Sequence, residues 1–298
     1  MDALELGATL YVPATRPDLF EIVSGRRHAN LRSTVICLED SIRPGDVPTA
    51  LSNVSAVLKR LEASEGPHPP TFIRPRDATM LAHILGFQGV EAVQGFVIPK
   101  ATADSLPPYL RSLASDGHLL MPTLETREVF DQAELRRLRD QLLSIEHRIL
   151  CIRIGGNDLL HNIGARRSAV RSAYQGPLGG TIAVLVTAFA PFGFSLSAPV
   201  FEHFDSPDLL REEVEYDIEH GLLTKTAIHP SQIDIIQNAY GVRAGELAEA
   251  REILKGERGV FALNGSMCEP ATHRRWAGSI VKRAALYGVR PEAVAAAG

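Results

Sequence analysis

The chain has 298 residues, a formal net charge of −4 and an apolar fraction of 45%. Its basic residues are scattered along the sequence, which argues against a nucleic-acid-binding protein. The three cysteines, Cys37, Cys151 and Cys268, are far apart and form no paired motif. This spacing argues against a structural zinc site and favours a reducing compartment.

Eight short runs of apolar and β-branched residues predict strands, and segments with helical spacing separate them. The strand runs cover residues 8–12, 33–38, 71–73, 92–98, 118–124, 148–154, 194–198 and 224–228. Strands that alternate with helices predict parallel βα units, and eight such units predict a TIM-type (β/α)8 barrel.

One apolar segment before the seventh strand resembles a further strand, but its spacing favours a helix. Ile182, Leu185, Val186 and Phe189 follow the i, i+3, i+4, i+7 pattern of one helix face. We therefore predict a buried helix there. The whole apolar run, residues 182–194, is too short to span a bilayer.

Further helical segments follow the eighth strand, at residues 230–240, 245–255 and 273–287. We predict a barrel domain over residues 1–232. A C-terminal helical extension over 233–298 would pack on the barrel or on a neighbouring subunit. The N-terminus lacks the positive segment of a signal peptide, so we expect a cytoplasmic protein with no membrane partner.

Polar residues stand directly after most of the predicted strands. They are Arg16, Glu39, Asp40, Arg74, Arg76, Lys100, Glu125, Asp158 and His229. The carboxyl ends of barrel strands meet at one mouth, so these side chains are predicted to converge there. Taken alone, each could instead cap a helix or form a surface ion pair.

Four carboxylates in one cleft would repel each other unless a cation joined them. Magnesium takes one or two carboxylates and keeps positions open for water or substrate. Arg74 is suited to a two-point contact with a substrate carboxylate. The predicted substrate-binding residues are Arg16, Arg74, Arg76, Lys100 and Glu125.

Eight short motifs, in this order, resemble those of the HpcH/HpaI aldolase and citrate lyase beta-subunit family. The resemblance covers roughly residues 10–284. The motifs are YVPATRP at 11–17, VICLEDS at 35–41, IRPR at 73–76, VIPK at 97–100, LET at 124–126, GGNDL at 155–159, AIHPSQ at 227–232 and GSMCE at 265–269.

The resemblance implies a magnesium-dependent carbon–carbon lyase of aldol or Claisen type that acts through a metal-stabilised enolate. Its substrate would be a small carboxylic acid or the coenzyme A thioester of one. Glu125 and Asp158 would ligate Mg²⁺. Arg74 would bind the substrate carboxylate and take part in catalysis by neutralising its charge. Glu39 and Asp40 would hold metal-bound waters and take part in catalysis.

The resemblance also implies a catalytic carboxylate at Glu269, in its own site or in that of a neighbour. A homo-oligomer, a trimer or a hexamer, is therefore expected. The chain departs from the family pattern in three places. Cys37 and Glu269 stand where the family has aspartates, and residues 166–179 carry no evident coenzyme A signature.

These departures leave the substrate open, and two other functions remain. One is a class II pyruvate aldolase, which uses the same Glu and Asp metal pair and should ignore coenzyme A. The other is a barrel that binds metal without catalysis and serves as an assembly partner.

Overall fold

The computed structural model describes residues 1–113 and 117–290. The chain forms two compact units, residues 1–236 and 237–298. The first unit is an α/β TIM barrel, so the fold class predicted from the sequence is confirmed. No helix in the described residues is long and apolar enough to cross a bilayer.

Eight parallel strands form the barrel in the order β7-β6-β5-β4-β3-β2-β1-β8. A parallel bridge between Ala198 and Lys225 joins the two end strands, so the barrel is nearly closed. The strands are β1 Ala8–Pro13, β2 Ser33–Cys37, β3 Thr71–Arg74, β4 Gly95–Ile98, β5 Leu119–Leu124, β6 Ile152–Ile154, β7 Leu196–Ser197 and β8 Lys225–Ala227.

Helices alternate with these strands, as the (β/α)8 pattern requires. They are α1 Leu19–Val23, α2 Val47–Glu62, α3 Ala78–Leu85, α4 Leu106–Ser112, α5 Gln132–Leu143, α6 Gly156–Asn162, α7 Pro177–Phe189, α8 Pro207–Glu219 and α9 Ser231–Ala239. The α7 helix buries Ile182, Leu185 and Phe189. This confirms the prediction of a helix, rather than a strand, in that apolar segment.

Apolar side chains from neighbouring strands fill the barrel interior. Val35, Phe72, Val97 and Met121 form one buried cluster, and Tyr11 packs against it. The same strands are covered by helices on their outer face, which explains their near-continuous apolar sequence. The polar residues that follow the strands are thus carried on a rigid, close-packed base.

A charged cluster is buried between β8 and α8. The Lys225 ammonium donates to Glu213 at 3.0 Å and to Asp217 at 2.8 Å, and all three side chains are fully buried. Arg167 also pairs with Glu213. The charges are compensated within the cluster, which makes their burial tolerable.

The second unit has its own small core around Leu247, Ile253 and Ile280. Two short parallel strands and a hairpin accompany its helices, which the predicted helical extension did not include. The elements are β9 Val242–Arg243, α10 Ala244–Lys255, β10 Phe261–Leu263, β11 Ser266–Cys268, α11 Pro270–Tyr287 and β12 Val289–Arg290.

Candidate active site

Glu39, which follows β2, is the centre of an ion-pair cluster at the barrel mouth. Its side chain is 5% exposed, and its two carboxylate oxygens contact different cations. Oε1 accepts from Lys100 Nζ at 2.5 Å, and Oε2 lies 3.0 Å from Arg74 Nη2. Lys100 Nζ is also 3.5 Å from Asp40 Oδ1. The structure therefore brings together residues from the ends of β2, β3 and β4.

Arg74 is held on one edge by Cys37. Their backbones are neighbours in the β2–β3 register. Arg74 Nε and Nη2 donate to Cys37 Sγ at 3.3 and 3.2 Å. Within the described residues, Nη1 is the guanidinium nitrogen without a protein partner. A two-point grip on a substrate would require other donors to leave Cys37 or Glu39.

Glu125, which follows β5, is a buried carboxylate with 3% exposure. Oε1 accepts the backbone N–H of Lys100 at 2.7 Å. Lys100 has a left-handed φ of 49°, an unfavourable conformation for a non-glycine residue and one often found at functional sites. Any Cβ at position 155 would overlap Glu125 Cβ and Oε2, so Gly155 provides the space for this side chain.

Burial raises the pKa of Glu125 to about 7, and repulsion from Asp158 adds to the increase, whereas Arg74 and the Lys100 N–H oppose it. Asp158 lies in the first turn of α6. The Asn162 amide donates to the backbone carbonyls of Glu125, at 3.1 Å, and of Asp158, at 2.9 Å. This bridge ties the end of β5 to α6.

The donor set of this carboxylate pair suits magnesium. Residues 1–113 and 117–290 contain no cluster of three or more His, Cys, Asp or Glu side chains arranged to hold a metal. Magnesium, however, commonly uses one or two carboxylates and completes its octahedron with water or substrate oxygens. A divalent cation would also remove the repulsion between Glu125 and Asp158.

Two of the predicted substrate-binding arginines have protein partners nearby. Arg76 donates to the backbone carbonyls of Leu38, at 3.0 Å, Glu39, at 3.3 Å, and Ile42. It thereby fixes the loop that carries Glu39 and Asp40. Arg16 makes a forked contact with Asp18, with distances of 2.7 and 2.8 Å. Substrate contacts for both arginines stay predictions.

A cavity of about 300 Å³ is lined by the end of β1 and by the turn that follows β8. Arg16, Arg27, His28 and His229 are among its lining residues. His229 is exposed, and its ring contacts the Ser231 hydroxyl at 2.8 Å. The cavity is large enough for part of a small ligand.

Sequence patterns did not identify two further residues of the barrel interior. Two guanidinium groups lie over the Tyr11 ring, with Arg74 Cζ 5.3 Å and Arg153 Cζ 5.2 Å from the ring centroid. Burial raises the pKa of Tyr11, and the two arginines act to lower it. Arg153 stands inside an apolar run, and a charge within a predicted buried strand was the signal that could have identified it.

Glu269, the remaining predicted catalytic residue, belongs to the second unit. It directly precedes α11, and its carboxylate accepts the Thr272 hydroxyl at 3.0 Å. Its backbone N–H donates to the His273 ring at 3.2 Å. These contacts describe a helix-start residue, and its catalytic role stays a prediction.

Comparison with known proteins assigns the chain to a family. Residues 1–289 match the family model that is described as C–C bond lyase of the TIM-barrel fold. The chain belongs to this C–C bond lyase family. The resemblance to citrate lyase beta subunits and HpcH/HpaI aldolases that the sequence motifs indicated is confirmed.

Two curated proteins are similar to this chain over part of its length. A citrate lyase subunit beta-like protein of Mycobacterium tuberculosis is 32% identical over 122 residues, 39% of this chain. A (3S)-malyl-CoA thioesterase of Cereibacter sphaeroides is 26% identical over 185 residues, 59% of this chain. The chain spans 44% and 63% of the lengths of these two relatives.

Solved structures of other proteins share the fold of this chain. The CitE protein of Mycobacterium tuberculosis, in complex with magnesium, acetoacetate and coenzyme A, has a TM-score of 0.71 at 22% identity. The match covers 95% of this chain and 99% of CitE. RipC of Yersinia pestis has a TM-score of 0.63 at 21% identity, with 83% and 100% covered.

Proposed function

We propose that this chain is a magnesium-dependent carbon–carbon lyase that acts on a small carboxylic acid or on its coenzyme A thioester. One observation carries the proposal. Glu125 is buried, oriented by the Lys100 N–H and close enough to Asp158 to be repelled by its charge, at the mouth where barrel enzymes hold their substrates. The chemistry proposed is the one that gives the family its name.

Glu125 and Asp158 would hold the metal in this proposal. When bound, Mg²⁺ supplies a Lewis acid that draws electron density from a chelated substrate oxygen. Gly155 keeps the space that Glu125 needs, and Asn162 fixes the backbone on either side of the pair.

Arg74 would bind the substrate carboxylate through Nη1, the nitrogen that Cys37 and Glu39 leave available. Glu39 would keep Arg74 and Lys100 in place, because both of its oxygens are already paired. Asp40 is the more exposed carboxylate of the loop, with 59% side-chain exposure, and could move a proton at the substrate hydroxyl.

Cleavage of the carbon–carbon bond in such a substrate needs no oxidant or reductant. A 3-hydroxy acid or its thioester loses the hydroxyl proton to a base, and the C2–C3 bond breaks. The hydroxyl carbon becomes a carbonyl, and the electron pair stays on C2 until a proton is returned to it. The two fragments are an aldehyde or oxo acid and an acetyl-type product.

A direct test offers the purified protein (3S)-malyl-CoA and a 4-hydroxy-2-oxo acid, each with Mg²⁺ or with EDTA. Magnesium-dependent formation of acetyl-CoA and glyoxylate would support a thioester lyase. If only the 4-hydroxy-2-oxo acid is cleaved, to pyruvate and an aldehyde, the result would support the class II aldolase hypothesis. Turnover that is unchanged in EDTA would contradict the proposal.

The thioesterase among the relatives gives a second candidate function. Hydrolysis would release malate and coenzyme A from the same thioester, so the products in one assay separate the two reactions. Metal binding without turnover of any such substrate would favour the non-catalytic assembly partner.

A further inference from the structure

Arg153 of β6 carries a buried charge that no carboxylate compensates. The residue is 2% exposed, yet it has no ion pair with an acid in the part of the chain that the structure describes. Nη2 donates to the Thr226 hydroxyl at 2.7 Å, Nη1 has a 3.6 Å contact with Met121 Sδ, and Nε has no hydrogen-bond partner.

A buried charge of this kind destabilises the fold. Taking a cation out of water costs several kcal/mol unless a counter-charge or a full set of hydrogen bonds offsets it. The buried Lys225 is paired with the carboxylates of Glu213 and Asp217, whereas Arg153 has no such pair among the described residues. The counter-charge of Arg153 is therefore expected to come from outside the protein.

The position of Arg153 places this charge under the proposed active site. The β5–β6 register pairs Thr123 with Arg153, so Glu125 lies two residues, roughly 7 Å, further towards the mouth. Arg74 and Arg153 both contact the Tyr11 ring, so the two guanidinium groups share this neighbour. Because a protein interior screens charges poorly, the Arg153 charge would attract an anion bound above it.

The charges of the inner site leave room for an anion. Glu39 balances Arg74, and Lys100 and Asp40 are the exposed pair at the rim. Glu125 and Asp158 together would balance a divalent ion. Arg153 then remains as one uncompensated positive charge.

We infer that Arg153 is a specificity-determining residue whose buried guanidinium provides the counter-charge for the carboxylate of the substrate once the metal is in place. The inference rests on the proposed function and adds a residue to it. It makes two demands of opposite sign. The positive charge favours the carboxylate ligand and disfavours the metal cation, whereas loss of a residue needed only for the fold would leave both affinities unchanged or lower both.

The test measures binding of Mg²⁺, and then of pyruvate to the magnesium-saturated protein, by calorimetry. Arg153→Met should weaken pyruvate binding by about 10-fold or more and leave Mg²⁺ affinity unchanged or raised, without a lower melting temperature. Arg153→Lys, which keeps the charge, should retain pyruvate affinity to within about 3-fold. Arg153→Gln, which keeps an amide donor for Thr226, gives the same comparison if the methionine variant does not fold.

Arg148→Met is the matched control. Arg148 is another buried arginine, just before β6, and it donates to the backbone carbonyls of Leu113 and His118. Its removal should lower stability but leave both affinities unchanged. Unchanged pyruvate affinity in Arg153→Met, or a joint loss of pyruvate and Mg²⁺ binding, would overturn the inference while the proposed function stands. A wild-type protein without magnesium-dependent pyruvate binding would overturn the inference, whereas the proposed function would stand if Mg²⁺-dependent cleavage of (3S)-malyl-CoA is observed.

Discussion

At the scale of single residues, the site contains groups that are useful for chemistry and unfavourable for stability. Glu125 is the clearest case, because burial raises its pKa to about 7 and Asp158 adds to the repulsion. Lys100, which orients it, has a left-handed backbone. Strain and buried charge concentrated at one mouth are typical of a functional site.

Glu125 should make the stability of the metal-free protein depend on pH. Its folded pKa lies above the ordinary value of 4.5, so its contribution is fully present below about 4.5 and is lost as the pH rises through about 7. At pH 8, Glu125→Gln should therefore be more stable than wild type by up to roughly 3 kcal/mol. At pH 4.5 the difference should vanish, as thermal unfolding in EDTA can check. A constant difference at both pH values would contradict the pKa assignment.

Arg74 should contribute to ligand binding through geometry as well as charge. Arg74→Lys keeps the cation but loses the contacts with Cys37 and the planar group that presents Nη1. The affinity for pyruvate should fall by about 10-fold or more, because a charge-assisted hydrogen bond contributes about 1.5–3 kcal/mol. An unchanged dissociation constant would move this role to another cation of the mouth.

At the scale of elements, the carboxyl ends of β5 and β6 position the proposed metal ligands. The turn between β6 and α6 must be glycine at position 155, because a Cβ there would overlap the side chain of Glu125. Asn162, at the other end of α6, holds the two ligand backbones. The site thus depends on a turn and a short helix as much as on the carboxylates themselves.

Gly155→Ala should displace Glu125 and lower Mg²⁺ affinity by at least about 10-fold, since a magnesium site tolerates little change in ligand geometry. Gly180→Ala is the control, because Gly180 lies in α7 with open space around its Cα. That variant should bind Mg²⁺ normally and gain up to roughly 1 kcal/mol of stability. Equal affinities in the two variants would remove Gly155 from the design of the site.

Strand and helix positions could be predicted because they depend on local periodicity. The predicted strand ends agree with the structure closely enough that Glu39, Arg74, Lys100 and Glu125 lie at one mouth. The partners of these residues could not be predicted, because contacts such as Arg76 to Leu38 or Arg74 to Cys37 join different strands. Arg153 lies in a strand that was predicted to be buried, but its contacts with Thr226 and Met121 join different strands and became evident only in the barrel.

At the scale of the whole molecule, the second unit carries one of the predicted catalytic residues. Family resemblance predicts a catalytic carboxylate at Glu269, and in the structure that residue directly precedes α11. If Glu269 completes the site of a neighbouring subunit, activity requires an oligomer.

Subunit mixing tests this prediction. Glu269→Gln and Glu125→Gln should each be inactive, whereas mixed oligomers should regain part of the activity because some sites receive both intact residues. Mixed oligomers without activity would exclude a shared site, and full activity of Glu269→Gln alone would exclude this residue from the mechanism.

Calorimetric titration with Mg²⁺ shows directly whether Glu125 and Asp158 hold a magnesium ion. The wild-type chain should bind Mg²⁺, and Glu125→Gln and Asp158→Asn should each lose at least about 10-fold in affinity while they melt as folded proteins. Glu202→Gln is the control, because Glu202 is a carboxylate near the same mouth that is paired with Asn157 and Arg166. It should bind Mg²⁺ like the wild type. Unchanged Mg²⁺ affinity in both the Glu125 and the Asp158 variants would contradict the assignment.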